Sequence, residues 1–181
     1  IGSGSASWQA QLAALADQFR VIAWDAPGYG DSDRLAPAAP DAADYAAALA
    51  SFLNALAIAN CHLVGHSLGG SSILQYLARN PEIWRDNNRF AAVFSIAAPF
   101  WGLEDWEVTD FALSKDELGV LADCNPMHFG HSKDDRIVGT EHFQAYVTRL
   151  PNADQIILET SGHLMGEGDI QNLIEKIQIY T

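Results

Sequence analysis

A serine lies among glycines at residues 65–70, which read Gly-His-Ser-Leu-Gly-Gly. The apolar residues 61–64 precede this stretch, and residues 71–77 after it have the pattern of a helix. In a tight turn from strand to helix, side chains at positions 65 and 69 would meet neighbouring backbone, so glycine is expected there. Such a turn raises the Ser67 hydroxyl above a sheet and directs the Leu68 amide to the same place. The spacing therefore predicts a serine that attacks a carbonyl carbon.

A serine hydroxyl attacks well only when a base removes its proton and an acid orients that base. The chain has six histidines, and His163 is the expected base because it follows a predicted strand in a short loop with Gly162. His62 and His66 lie in the strand and turn around the serine, where structural roles are expected. His142 is expected to open a helix and to face solvent.

His128 and His131 form an H-x-x-H pair, a spacing that invites comparison with metal sites. On a strand that runs into a loop, this spacing does not aim both rings at one point, and the sequence offers no clear third ligand. We therefore expect no metal and no cofactor.

Two adjacent aspartates follow the predicted strand at residues 127–129. Either Asp134 or Asp135 could reach the base, and the chain order is Ser, Asp, His in both cases. The pattern favours Asp135, and Asp134 stays open as the alternative. Both side chains could instead simply solvate their loop.

Predicted strands and helices alternate along the chain that must position these side chains. Apolar runs predict strands at residues 21–24, 61–64, 91–97, 127–129 and 155–158. Helical spacing marks residues 7–19, with Ser7 as the expected N-cap, and recurs at residues 45–56, 71–80, 143–150 and 170–177. This alternation predicts an α/β fold in a single domain over residues 1–181, a three-layer sandwich around a mainly parallel sheet. Sites in such sheets lie at the carboxyl ends of the strands, so Ser67, the aspartates and His163 are expected to converge.

The chain is strongly acidic, with a formal net charge of −13 at pH 7. This charge would repel a phosphate backbone or an anionic membrane surface, so nucleic acid is not an expected partner. No apolar run approaches the roughly 20 residues that span a bilayer, and no basic-then-apolar leader opens the chain, which predicts a cytoplasmic protein. The chain begins at Ile1, and alanine is more frequent in residues 1–80 than in residues 81–181, which fits a fragment, a processed chain or a fusion.

Four stretches of the chain resemble the alpha/beta-hydrolase family: residues 25–32 after an early strand, residues 65–70, an aspartate followed by residues 136–138, and the late Gly162-His163 pair. The first part is similar to esterases, lactonases and carbon–carbon bond hydrolases. The second part is similar to small serine hydrolases of the retinoblastoma-binding-protein type, which lack a cap domain. The resemblance implies a truncated alpha/beta-hydrolase-like core without a full cap domain and a small-molecule ester as substrate, and it places the triad acid on Asp135.

The chain departs from the family pattern in three places. The family has a His-Gly pair whose following loop supplies one oxyanion amide, and this chain begins just after that point. The resemblance implies Ile1 or Gly2 as the donor beside Leu68, and losing one such donor slows catalysis by roughly 10²- to 10³-fold. Residues 100–125 replace the usual cap and form either an aromatic lid or a helix with one core face and one solvated acidic face. Gly139 stands where proline is common.

The leading hypothesis is a serine hydrolase that cleaves carboxylic esters through an acyl-enzyme on Ser67, with His163 as base and Asp135 as acid. The alternative is a non-catalytic or weakly active scaffold or binding protein with the same fold. A dinucleotide-binding fold would rest only on Gly-x-Gly spacings at residues 2–4 and 28–30, neither of which has the required pattern. The sequence predicts neither the oligomeric state nor the choice among ester, thioester, lactone and carbon–carbon substrates.

Overall fold

A computed structural model describes residues 4–85, 89–103, 113–124, 126–164 and 167–179 of the chain. Its sheet has four strands, all parallel, in the spatial order β1 (Cys61–His66), β2 (Phe90–Ile96), β3 (Met127–Ser132) and β4 (Asp154–Leu158). The α-helices in these ranges are α1 (Gln9–Leu15), α2 (Ala42–Ala55), α3 (Leu68–Arg79), α4 (Glu82–Arg85), α5 (Lys115–Val120), α6 (Thr140–Arg149) and α7 (Glu167–Ile179). Within the same ranges, the helices lack the combined length and apolar character that crossing a bilayer requires.

Helices cover both faces of the sheet. Apolar side chains of α3, α5 and α6 pack with Val93 and Phe129 on one face, and those of α1 and α7 pack with Phe94 and Ile156 on the other. The interior strand β2 has apolar side chains on both faces, and its residues 92–96 are buried. The predicted three-layer α/β sandwich around a parallel sheet is therefore confirmed.

The strand ends lie level at the carboxyl edge of the sheet. His66 of β1 pairs with Ile96 of β2, which in turn pairs with Gly130 of β3. Gly130 pairs with Ile156 of β4. Parallel strands have all their carboxyl ends at one edge, so the segments that leave β1, β3 and β4 begin next to one another.

Most predicted elements are present, with shifts at their ends. Strand β3 continues to Ser132, beyond the predicted residues 127–129, and α6 begins at Thr140 rather than at residue 143. Helix α2 begins at Ala42 because the Asp41 carboxylate accepts a hydrogen bond from the Asp44 amide, while the Asp44 carboxylate accepts one from the Asp41 amide.

The predictions for the amino-terminal part are wrong in three respects. Residues 21–24 are not a strand, because among the described residues no segment forms a ladder with their backbone. The first helix is also shorter than the predicted residues 7–19, since α1 begins at Gln9 and ends at Leu15. Ser7 is not its N-cap but lies in a 3₁₀ turn, where its hydroxyl donates to the Gly4 carbonyl at 2.9 Å.

Candidate active site

Ser67 lies in the turn between β1 and α3 with a positive φ of 54°. Its amide donates to the Ile96 carbonyl of β2 at 2.8 Å, which ties the turn to the sheet. A serine that precedes a helix commonly accepts a hydrogen bond from an amide of the first turn, but the Ser67 side chain makes no such bond. Its hydroxyl lies instead against the loop that follows β4.

Close packing around the turn requires glycine at two positions, one of which differs from the prediction. A Cβ at Gly65 would lie 2.8 Å from the Gly69 carbonyl, as expected from the motif. The expectation for Gly69 is wrong, because a Cβ there would meet no neighbouring atom within 4 Å outside its own helix backbone. The second close approach is at Gly70, where a Cβ would lie 2.9 Å from the Ser95 hydroxyl and 3.0 Å from Cβ of Ala98.

Ser67, His163 and Asp135 form one hydrogen-bonded series at the carboxyl edge of the sheet. The Ser67 hydroxyl oxygen lies 3.0 Å from Nε2 of His163, and Nδ1 of His163 lies 2.8 Å from Oδ2 of Asp135. An ionised carboxylate only accepts hydrogen bonds, so Nδ1 carries the proton and Nε2 keeps a lone pair for the Ser67 hydroxyl. The three side chains are thus arranged so that a proton can pass from the serine to the imidazole.

Asp135 is held by the backbone that follows it. Its side chain is fully buried, and its Oδ1 accepts hydrogen bonds from the Ile137 amide at 2.8 Å and the Val138 amide at 2.9 Å. These bonds leave Oδ2 for His163. Because both amides act on one oxygen, the carboxylate has a fixed orientation toward the imidazole.

Asp134, the alternative acid, has different partners. Its Oδ1 accepts hydrogen bonds from the Ser132 hydroxyl at 2.6 Å and the Gly162 amide at 2.8 Å. These bonds hold the pKa of the exposed Asp134 carboxyl below its usual value. The structure therefore brings Asp135 to the His163 ring and Asp134 to the backbone beside it.

The loop that carries His163 is short and is attached to both sides of the site. Gly162 has a φ of 57°, a left-handed conformation that favours glycine. On the serine side, Nε2 of His66 donates to the His163 carbonyl at 2.6 Å, and the two rings lie 4.9 Å apart. The sequence prediction gave His66 a structural role without identifying this partner.

His128 and His131 lie on opposite faces of β3. The His128 ring stacks on Phe94 at 4.4 Å, and the His131 ring stacks on Phe143 at 5.6 Å. The two phenylalanines belong to the clusters on opposite faces of the sheet, so the two imidazoles cannot share a metal ion. In the part of the chain that the structure describes, no three His, Cys, Asp or Glu side chains form a group that could hold one.

His142 is buried rather than exposed to solvent, contrary to the prediction. Its exposed fraction is 1%, and its Nδ1 accepts a hydrogen bond from the Phe100 amide at 2.9 Å. Burial lowers the pKa of His142 below the usual value. The sequence does carry a signal for this burial, since His142 lies one helical turn before the aromatic Tyr146, on the same face of α6.

One of the expected oxyanion donors lies in the described part of the chain. Leu68 opens α3, and its amide is one of the first amides of a helix, which have no acceptor within the helix. The helix dipole adds partial positive charge at the same place. Ile1 and Gly2, the expected second donors, lie outside the described residues.

The predicted lid segment, residues 100–125, is described only at its ends. Phe100 packs edge-on against Tyr146 with ring centroids 5.1 Å apart, and Leu118 of α5 is buried in the same cluster. Residues 104–112, which hold four of the seven acidic and two of the four aromatic residues of the segment, lie outside the described residues. The described parts on both sides of residues 104–112 therefore contribute side chains to the hydrophobic core.

Comparisons with known proteins agree with this fold. A sequence model of the alpha/beta hydrolase fold matches residues 1–162. A variant of the meta-cleavage product hydrolase CumD of Pseudomonas fluorescens IP01 superposes with a TM-score of 0.80 and 17% identity over 99% of this chain and 88% of that chain. A thermophilic esterase from Thermogutta terrifontis superposes with a TM-score of 0.77 and 18% identity over 98% of this chain and 86% of that chain. At such identities the likeness shows the fold alone.

Curated relatives match a shorter part of the chain. RutD of Pantoea ananatis, a protein named for carbamate hydrolysis, is 45% identical over 83 residues, which are 46% of this chain and 30% of that protein. A protein of Mycobacterium bovis is 39% identical over 84 residues, which are 46% of this chain and 24% of that protein. The matches thus span less than a third of these relatives. The family model, in contrast, covers most of the chain, which therefore belongs to the alpha/beta hydrolase family.

Proposed function

We propose that this protein is a serine hydrolase that cleaves carboxylic esters through an acyl-enzyme on Ser67. His163 acts as the base, Asp135 orients it, and the Leu68 amide binds the oxyanion together with a second amide from residues 1–2. The proposal rests above all on the hydrogen-bonded series from the Ser67 hydroxyl through His163 to Asp135. The position of this series at the carboxyl edge of the parallel sheet adds support.

In the first half of the reaction, Ser67 Oγ attacks the ester carbonyl carbon while its proton passes to Nε2 of His163. The carbonyl oxygen becomes an oxyanion and accepts hydrogen bonds from the two amides. The imidazolium is stabilised by the Asp135 carboxylate, which stays ionised. When the intermediate collapses, the alcohol leaves with the proton from Nε2, and the acyl group remains on Ser67.

The second half of the reaction repeats these steps with water. His163 Nε2 takes a proton from a water molecule, whose oxygen attacks the acyl carbon and forms a second oxyanion. Collapse of this intermediate returns the proton to Ser67 Oγ and releases the carboxylic acid. None of these steps uses a cofactor or a metal ion.

A carbamate is a second candidate substrate class. The RutD relative, named for carbamate hydrolysis, is 45% identical over the 83 residues that it shares with this chain. A carbamate carbonyl can be attacked by the same serine and would leave a carbamoyl group on Ser67. An assay should therefore compare carboxylic esters and carbamates with the same alcohol as the leaving group.

The proposal also concerns how the chain is organised. We propose that residues 1–181 act as one domain, in which the described parts of the segment 100–125 pack against the core. The buried Phe100 and Leu118 support a firm attachment of both ends of that segment to the core.

Labelling with a fluorophosphonate probe tests the proposed nucleophile. The folded protein should be labelled, and Ser67→Ala should remove the label. Ser51→Ala is a matched control, since the Ser51 hydroxyl is exposed on α2 and donates to the Ala47 carbonyl. Failure of the folded parent protein to react, with circular dichroism showing intact structure, would favour the non-catalytic scaffold.

A further inference from the structure

The carbonyl of His163 is bound by a side chain from the other end of the site. Nε2 of His66 lies 2.6 Å from that carbonyl oxygen, which can only accept, so Nε2 is the donor. His66 immediately precedes Ser67, and the two bonded residues are 97 positions apart in the chain. The bond therefore joins the turn of the nucleophile directly to the loop of the base.

The opposite side of the same loop is bound by Asp134. Its Oδ1 accepts from the Gly162 amide at 2.8 Å, and the Ser132 hydroxyl, which donates to this oxygen at 2.6 Å, itself accepts from the Ser161 amide at 3.0 Å. Two consecutive backbone amides of the loop are thus tied to the end of β3. Asp134 lies beside Asp135 but acts on backbone rather than on the imidazole.

The geometry points to His66 and Asp134 as positioning residues that hold the loop of residues 161–163 from its two sides, so that the His163 ring reaches both Ser67 and Asp135. This inference rests on the proposed function, because the position of the ring affects turnover only if His163 is the base. It adds two residues to the site without giving either a chemical step.

The sheet explains why the loop needs such attachment. Ser67 follows β1 and His163 follows β4, and adjacent strands lie about 4.8 Å apart, so the loop must bring the ring across a distance on the order of 14 Å. Gly162, at φ 57°, gives this short loop conformational freedom rather than rigidity. A ring displaced by about 1 Å can cost on the order of 100-fold in rate, so the side-chain bonds have a measurable role.

The charge states of the two residues suit this role. Burial lowers the pKa of His66, which keeps the ring neutral beside an imidazole that becomes positive during the reaction. A neutral ring has one N–H group, and the bond to the carbonyl places it on Nε2. Asp134 stays ionised because the Ser132 hydroxyl and the Gly162 amide lower its pKa, so it remains an acceptor for the loop amide.

Paired substitutions at each position separate hydrogen bonding from other effects. His66→Phe keeps a ring but removes the donor, whereas His66→Gln keeps a donor at nearly the position of Nε2. Asp134→Ala removes the acceptor, whereas Asp134→Asn keeps an acceptor oxygen. Matched controls are His62→Gln, on the same strand, and Asp123→Asn, an exposed carboxylate elsewhere.

Two readouts are measured for each variant. One is kcat and KM for an activated ester, and the other is the NMR signal of the proton on Nδ1 of His163, which needs no turnover and is assigned with His163→Gln. We expect His66→Phe and Asp134→Ala each to lower kcat by about tenfold or more with KM within about twofold, and to broaden the Nδ1 signal. His66→Gln and Asp134→Asn should stay within about threefold of the parent protein in kcat, as should both controls.

The inference is overturned if His66→Phe and Asp134→Ala keep both kcat and the Nδ1 signal, or if the conservative variants lose as much as the disruptive ones. The substitutions at His66 and at Asp134 are independent tests. Asp134 is exposed, so its replacement does not disturb the core, and it can be measured even if His66→Phe fails to fold. If the parent protein neither turns over esters nor labels at Ser67, the proposed function fails, and the Nδ1 signal alone then decides whether the two residues hold the ring.

Discussion

At the scale of single residues, neighbouring side chains of one type have different surroundings and different roles. Asp135 is buried and bonded to His163, whereas Asp134 is exposed and bonded to a loop amide. Local patterns predicted Ser67, Asp135 and His163, and the structure places them within hydrogen-bonding distance. The bond of His66 joins residues 97 positions apart, and no local pattern in a sequence encodes such a contact.

Replacing Asp135 by asparagine tests which aspartate orients the base. All hydrogen-bond partners of the Asp135 carboxylate are donors. The side-chain amide of Asp135→Asn would present an N–H group to one of them, so His163 would no longer be held in the tautomer with its proton on Nδ1. We expect kcat for an activated ester to fall by about 10⁴-fold while the fold is retained. Asp134→Asn, measured in the same assay, should stay within about threefold of the parent protein. An equal loss of activity in the two variants would contradict the assignment of Asp135 as the acid.

Alanine substitutions at two glycines of the turn should have opposite consequences for stability. In Gly65→Ala the new Cβ would lie 2.8 Å from the Gly69 carbonyl, which we expect to lower the free energy of unfolding by about 1–3 kcal/mol. Gly69→Ala adds a Cβ with no neighbour within 4 Å outside its helix and should be neutral or slightly stabilising. Urea unfolding measures both, and equal losses would contradict the asymmetry.

At the scale of elements, the periodicity of apolar residues predicts helices better than it predicts unpaired strands. A helix satisfies its backbone internally, so the spacing in α2, α3 and α6 was sufficient to identify them. A strand needs a neighbour, and the apolar residues 21–24 have no such neighbour among the described residues. Their composition favours β structure, but the strand prediction is wrong because the described residues supply no partner strand.

The carboxyl end of α2 offers a stabilising substitution. Ala57 has a φ of 54°, its amide donates to the Asn54 carbonyl, and the Ile58 amide donates to the Leu53 carbonyl, which together form a Schellman motif. Alanine is disfavoured in this left-handed conformation, and glycine is not. We expect Ala57→Gly to raise the free energy of unfolding by about 0.5–1 kcal/mol.

Thermal or urea unfolding checks this prediction, and the control is a glycine placed inside the same helix. Ala47→Gly, at an exposed position within α2, should lower the free energy of unfolding by about 1 kcal/mol because the helix interior disfavours glycine. If both substitutions lowered stability, the left-handed conformation at residue 57 would not be the source of the effect.

At the scale of the whole molecule, the alternation of strands and helices was enough to predict the layers and the edge of the sheet at which Ser67, His163 and Asp135 lie. Parallel strands joined by helices have few possible arrangements, and all of them collect the strand ends at one edge. The burial of the remaining histidines depends instead on which helices and strands pack against each other. His128, His131 and His142 are each buried between elements far apart in the chain, which spacing alone does not determine.

These three buried imidazoles should make the folded state sensitive to mild acid. Burial lowers the pKa of His128, His131 and His142 below the value of 6.5 that each has in the unfolded chain. Well above pH 6.5 neither the folded nor the unfolded state binds these protons, so they do not reduce the stability there. As the pH falls below 6.5 the unfolded chain takes them up first, so the free energy of unfolding falls by up to about 1.4 kcal/mol per pH unit for each imidazole.

His131→Phe should reduce this acid sensitivity. The ring stacks on Phe143, and its Nε2 is buried without a hydrogen-bond partner among the described residues, so a phenyl ring can replace it with little loss of packing. Urea midpoints measured between pH 5 and pH 7.5 should fall less steeply in the variant than in the parent protein. Val147→Ala, a packing change in α6 without a titrating group, should lower the midpoint by a similar amount at every pH. A variant curve parallel to that of the parent protein would mean that His131 is not among the groups that take up protons on unfolding.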